Sequence, residues 1–321
     1  MGEIFSPPLT SLLNTYMNYL ILTPDGVGST ILQRLVTMTL YLEGQTVTNT
    51  HELTNGIGLK DGIASKTSGR DYSQTLGKIE KILAGSEANT TLISRLAKYH
   101  IDRRKDSKED CTQFFNFLNN HFDIKIACIR ENLFEYAMSW SIRNKSGVLN
   151  VYNRQDRMKV KKVSEVDEDF FLQKCIEYVN YVEWIEQNFP KVQKVSYEDM
   201  VKDSDKTMEA ITGYKDTFNK KLGLPLQNLL SREHEYLQQQ DSQFSKDYMR
   251  TLIKYKMLCV EMMQKNIIMN VPLKNTTLTD KKRMIKNFDH CLEKFYKFAK
   301  NHNWIDQSKA TYDFWSETHI C

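Results

Sequence analysis

Three short stretches carry residue types that could hold an anionic ligand. The first, Thr23-Pro-Asp-Gly-Val-Gly-Ser-Thr-Ile-Leu32, follows the apolar run Tyr19 to Leu22 and opens an amphipathic run, Ile31 to Leu40. A strand feeding a glycine-rich turn and then a helix N-terminus points backbone N–H groups and the helix dipole at one place, which suits a phosphate-like group. Gly26 and Gly28 let the backbone approach it, with Val27, Ser29, Thr30 and Ile31 completing the cradle. Gly28-Ser29-Thr30 has no Lys in it, which argues against the ordinary P-loop kinases and ATPases. The same residues also fit a strand–turn–helix corner with no ligand.

The second stretch is Ile129-Arg-Glu-Asn-Leu-Phe-Glu-Tyr-Ala-Met-Ser-Trp140. Arg130 stands at the end of an expected strand and Ser139 nine residues on, in the following helix. A guanidinium fork there can grip a phosphate, and the hydroxyl can complete the grip. Equally, Arg130 can pair with Glu131 or another acid while Ser139 only packs. The third stretch, Val195-Ser-Tyr-Glu-Asp-Met-Val201, offers Tyr197 as an aromatic face for a purine. Glu198 and Asp199 fit a helix cap.

The elements that must position these residues alternate between strand and helix. Periodicity predicts a strand over 19–23, a helix over 29–42, a short β-like run at 45–48 and a glycine-, lysine- and serine-rich loop over 54–72. Helical spacing follows at 73–85, 89–99 and 109–121, then a strand over 123–129 and a helix over 132–143. A basic connection at 154–162 leads to a helix at 167–188, a strand at 192–196 and a helix at 204–220. The expected fold class is α/β: a P-loop-like parallel sheet flanked by helices, with strand carboxyl ends lining one crevice. From about residue 228 the pattern is helical and polar, with helices near 245–267 and 278–300. The expected division is therefore an α/β domain over 1–228 and a helical C-terminal extension over 229–321 packed on it.

Composition narrows the partners. The 321 residues carry a net charge of +4, mildly basic and short of a nucleic-acid footprint. No apolar run approaches the length of a membrane span. Six scattered cysteines without a CxxC pair point to reduced thiols in a cytoplasmic setting, and no His spacing suits a metal.

Taken in order, the three stretches resemble the superfamily of sulfotransferases that use 3′-phosphoadenosine 5′-phosphosulfate (PAPS). The Gly-Ser-Thr-Ile-Leu form is similar to its bacterial branch, and the phrasing that includes Thr50-His-Glu-Leu-Thr-Asn-Gly56 resembles sulfotransferase-like proteins of marine bacteriophages. Lys221-Leu-Gly-Leu-Pro225 is similar to a further stretch of the family. The resemblance covers about residues 18–226. It implies PAPS as co-substrate without a metal, the 5′-phosphosulfate on Gly26 to Ile31, the 3′-phosphate on Arg130 and Ser139, and the adenine beside Tyr197. It implies His51 or Glu52 as the base that deprotonates an acceptor hydroxyl on a sugar or another small molecule. Family members carry Lys or Arg where Asp25 and Gly26 stand here, so Lys60, Lys66 or Arg70 becomes a candidate for that charge. A phage origin would put the protein in the host cytoplasm or the virion. The C-terminal helices would then meet a second copy or a virion partner. The alternative is a non-catalytic nucleotide-binding or structural protein on the same fold.

Overall fold

The computed structural model describes residues 16–24, 26–50, 53, 80, 90–97, 108–148, 154–223, 242–265, 267–268 and 278–302. The first half builds β1 (Tyr19–Thr23), α1 (Ser29–Leu42), β2 (Thr46–Thr50), β3 (Thr90–Ala97), α2 (Lys108–His121), β4 (Ile124–Ile129) and α3 (Leu133–Ser146). The second half builds α4 (Arg154–Lys161), α5 (Glu168–Asn188), β5 (Gln193–Ser196), α6 (Tyr197–Lys202), α7 (Ser204–Thr212), α8 (Thr217–Leu222), α9 (Ser242–Gln264), α10 (Leu278–Met284) and α11 (Phe288–His302).

The five strands form one sheet in the order β2-β3-β1-β4-β5, and every pairing is parallel. β1, β4 and β5 lie side by side, as the sequence pattern predicts. The connection leaving β1 runs to β2 on one side, and the connection leaving β4 runs to β5 on the other. Between β1 and β4 the winding therefore changes direction, the place where open α/β sheets bind ligands outside the carboxyl ends of their strands.

Both faces of the sheet are covered, so the central strands are apolar on each side. Tyr19 and Ile21 of β1 join the core beneath α1 and α3, while Leu20 and Leu22 join a second core with Phe114, Leu118 and Phe122 of α2 and the segment after it. This two-sided burial corrects one expectation. Residues 89–99 have helical spacing, yet Thr90–Ala97 is a strand with seven of its eight residues buried. A continuous apolar run satisfies either period, and here the β-branched Thr90, Thr91 and Ile93 agree with the strand. Two smaller differences are local. The expected helix at 204–220 breaks into α7 and α8 at Gly213, whose left-handed φ of 76° ends the first. The basic connection at 154–162 contains the short helix α4.

The C-terminal helices share the α1-side core. Phe134 of α3 meets Phe171 of α5 and Phe288 and Phe295 of α11, at ring-centroid distances of 5.4, 5.1 and 5.6 Å. Cys259 and Met262 of α9 are buried in the same cluster. At the start of α5, Glu168 accepts from Lys294 of α11 at 2.7 Å and lies 2.6 Å from His290 Nδ1. Among the described residues, no helix is long and apolar enough to cross a membrane.

Candidate functional site

The turn after β1 is held open by two left-handed glycines. Gly26 and Gly28 each have φ of 85°. A Cβ on Gly26 would sit 2.8 Å from Trp140 Nε1 and 2.9 Å from an Arg143 terminal nitrogen, and one on Gly28 would sit 2.5 Å from Tyr197 Cδ2. Gly28 is also the N-cap of α1 and has no side-chain cap; its carbonyl accepts from the N–H groups of Ile31 and Leu32 at 2.9 and 3.1 Å. The first-turn N–H groups of Ser29 and Thr30 have no intrahelical acceptor, as at any helix start. Val27 is fully buried, and Cys128 of β4 donates to its carbonyl at 3.5 Å. Burial pushes the Cys128 thiol up to about 12, so it stays protonated there.

A cation does reach this turn, from an unexpected strand. Arg95 of β3, 7% exposed, donates from one terminal nitrogen to Ser29 Oγ at 3.2 Å and Thr30 Oγ1 at 2.6 Å. Side chains alternate along a strand. Arg95 therefore shares with Ile93 the sheet face beneath α1, while Leu92 and Leu96 face the other core. The sequence pattern concealed Arg95 because a helical reading of 89–99 places it on no sheet at all. Beside it, Gln33 of α1 donates to Asn49 Oδ1 of β2 at 2.8 Å, and Asn49 Nδ2 donates to Thr37 Oγ1 at 3.0 Å.

Arg130 stands one residue beyond β4, held from several sides. Its N–H donates to the Tyr178 hydroxyl of α5 at 2.5 Å, and that hydroxyl donates back to the Arg130 carbonyl at 2.8 Å. Its guanidinium donates from Nε to Glu198 and from a terminal nitrogen to Glu135, both at 2.9 Å. The guanidinium carbon lies 4.4 Å from the centroid of the Tyr197 ring. Burial works against the Arg130 charge, but Glu135 and Glu198 outweigh it and raise its pKa. Tyr197, the first residue of α6, thus touches both the Gly28 turn and Arg130. Ser196 caps α6 by accepting from Asp199 N–H at 2.9 Å. Glu198 instead accepts from the N–H groups of Glu131 and Asn132 at 3.0 and 3.4 Å.

Ser139 lies one helical turn beyond Glu135 on α3, and a lysine from the C-terminal helices meets both. Lys281 of α10, 3% exposed, donates to Glu135 Oε1 at 3.0 Å and to Ser139 Oγ at 2.7 Å. Burial lowers the Lys281 pKa, Glu135 partly restores it, and the positive fields of Arg130 and Arg143 lower it further. The Gly26–Thr30 turn, Arg130, Ser139 and Tyr197 are therefore gathered at the carboxyl ends of β1, β4 and β5. Arg95, Glu135, Arg143, Glu198 and Lys281 join them. Nothing in the sequence pattern pointed to Lys281, which reaches Ser139 across a separation of 142 residues.

One solved structure to which the chain is similar is that of retinol dehydratase in a complex with retinol and PAP. The identity is 12% and the TM-score 0.37, with 90% of this chain and 82% of that one covered. No protein-family model matches the sequence, and neither does any curated protein. The functional reading therefore rests on the geometry of the site.

His51 and Glu52 lie outside the described residues, as do Asp25, Lys60, Lys66 and Arg70. The flanks of the pair are described. Thr50 Oγ1 lies 2.5 Å from Ser94 Oγ, and Leu53 N–H donates to the Arg95 carbonyl at 2.8 Å. Among the described residues, no group of three or more His, Cys, Asp or Glu side chains is gathered as a metal ion would need.

Proposed function

We propose that the protein is a PAPS-dependent sulfotransferase acting on a hydroxyl of a sugar or another small acceptor. The observation that carries this reading is the meeting of the Gly26–Thr30 turn, Arg130, Ser139 and Tyr197 at the carboxyl ends of the strands, with Arg95 donating to Ser29 and Thr30. The turn fits a phosphosulfate: Gly26 to Ile31 would hold it through backbone N–H groups and the two hydroxyls. Arg95 would supply positive charge that the turn itself lacks. Arg130, Ser139 and Lys281 would hold the 3′-phosphate, and Tyr197 would contact the adenine. Bound PAPS supplies an activated sulfuryl group, and the protein's task is to orient it and take up a proton from the acceptor.

His51 or Glu52 would take that proton. Because β3 and not β2 adjoins β1, His100, three residues beyond β3 and outside the described residues, is a third candidate base. The proposed division places the donor site in residues 1–228 and its last cation in the 229–321 extension. We place the protein in the cytoplasm, or in a virion if phage-encoded. The C-terminal helices would face a second copy or a virion partner.

Calorimetric titration with adenosine 3′,5′-bisphosphate tests the nucleotide, and labelled-sulfate transfer from PAPS to a glycan and phenol panel tests the reaction. Wild-type protein is expected to bind and to transfer. Glu52→Gln, His51→Asn or His100→Asn, whichever removes the base, is expected to slow transfer about 10²- to 10⁴-fold with nucleotide affinity unchanged. Absence of binding would end the reading.

One observation favours a second reading, a nucleotide-binding protein without catalysis. Arg130 is paired by two carboxylates, Glu135 and Glu198, before any ligand is considered. Binding without transfer to any acceptor would favour it.

A further inference from the structure

Glu135 does not take the capping part that its place on α3 suggests. Asn132 caps α3 by accepting from Glu135 N–H at 2.8 Å. A glutamate at this third helical position commonly reaches back to the N-cap N–H. Here Glu198 accepts from that N–H instead. The Glu135 carboxylate turns toward the site and bridges two cations from distant parts of the chain, Arg130 at 2.9 Å and Lys281 at 3.0 Å. Lys281 simultaneously donates to Ser139. A carboxylate between a guanidinium and an ammonium, with a hydroxyl alongside, occupies the place a phosphate would take.

We propose that Glu135 is a resident counter-anion, filling the place formed by Arg130, Lys281 and Ser139 until a phosphate monoester displaces it. An almost fully buried ammonium is stable only beside an anion, and Glu135 supplies one when no ligand does. The charges allow the exchange. Arg130 and Lys281 flank the Glu135 carboxylate, and the field of Arg143 also reaches Lys281, so an incoming anion meets cations from more than one element. The N-cap of the same helix, Asn132, is 1% exposed, and its Nδ2 is buried without a hydrogen-bond partner among the described residues. The exchange also sets specificity. A dianionic phosphate monoester brings two charges where Glu135 brings one, whereas a neutral hydroxyl cannot displace it. In the sulfotransferase reading, on which only the identity of the nucleotide rests, Glu135 lowers the affinity for the 3′-phosphate and leaves the affinity of a nucleotide with a free 3′-hydroxyl unaltered.

The experiment compares wild type with Glu135→Gln in calorimetric titrations with adenosine 3′,5′-bisphosphate and adenosine 5′-phosphate, and in thermal melts with increasing inorganic phosphate. Glu135→Gln is expected to bind the bisphosphate about 5- to 50-fold more tightly, because it removes a charged competitor. Its affinity for the 5′-phosphate should not change, and inorganic phosphate should raise its Tm more than that of wild type. If wild type binds the bisphosphate and the variant binds it equally or less well, the counter-anion proposal falls while the sulfotransferase reading stands. If wild type binds neither nucleotide, that reading falls and the melts decide alone; no larger phosphate-induced rise in the variant overturns the proposal. Should Glu135→Gln not fold, Glu135→Asp, which withdraws the carboxylate by one methylene, serves in the same titrations, and a tighter bisphosphate is again the supporting result.

Discussion

The two places that could hold an anion are built in opposite ways. The turn after β1 is local: Gly26 to Ile31 are consecutive, and their geometry follows from two left-handed glycines and a helix start. The Arg130 place is assembled from β4's end, α3, α6 and α10, drawing on residues up to 151 positions apart, Arg130 to Lys281. The local place presents donors. The assembled one arrives with its charges largely matched by Glu135 and Glu198. Short-range chemistry can hold a ligand by backbone alone, while a buried cluster of cations has to carry its own anions to be stable.

The largest effect that would break this contrast is expected at Arg130. Arg130→Ala leaves Glu135 and Glu198 without their guanidinium, and removing one member of a buried ion pair costs about 3–5 kcal/mol. Urea unfolding should show that loss. Arg130→Lys, which keeps the charge without the fork, should lose roughly 10- to 150-fold in affinity for adenosine 3′,5′-bisphosphate and little for adenosine 5′-phosphate. Equal losses for both nucleotides would mean that Arg130 serves the fold and not the 3′ group.

Next comes the local place. Arg95→Met removes the donor to Ser29 and Thr30 while keeping much of the side-chain volume. Labelled-sulfate transfer should fall about 10²- to 10³-fold, the range typical for losing one donor at a developing charge. Unchanged transfer would reduce Arg95 to a strut under α1.

The smallest effect sharpens the assembled side. Lys294 chiefly, with Asn287 and His290, holds the Glu168 carboxyl down to about 2, from 4.5. A carboxyl with a depressed folded pKa stabilises the fold above its unfolded value. That contribution is lost as pH falls from about 4.5 toward about 2. Glu168→Gln should therefore flatten the acid dependence of the Tm in that window and leave neutral-pH nucleotide binding intact. An unaltered acid profile would show that the ion pair of Glu168 with Lys294 contributes nothing to stability.

How much of this was legible in the sequence follows the same contrast. β1, α1 and the turn between them could be read residue by residue, because glycine spacing and an apolar run are short-range signals. β4, α3 and β5 were equally plain, and with them the adjacency of Arg130 and Tyr197. β3 was not. A strand buried on both faces loses its alternation, so Thr90–Ala97 passed for helix and Arg95 went unnoticed. Lys281 was hidden for a different reason: in Thr279-Asp-Lys-Lys-Arg283 it looks like one of several solvated bases, and only the packing of α10 singles it out. Likewise, Glu135 looks like half of a capping box until Glu198 is seen to take that duty.

The reach of Lys281 has a consequence for how the molecule matures. Synthesis runs from the N-terminus, so a nascent chain possesses the turn, Arg95, Arg130 and Ser139 well before residue 281 is made. During that interval Arg130 has its acids, but Glu135 and Ser139 lack their ammonium partner. The assembled place is therefore completed only when the last helices have been translated and docked, and a chain cut before residue 281 would carry Glu135 and Ser139 without their ammonium partner.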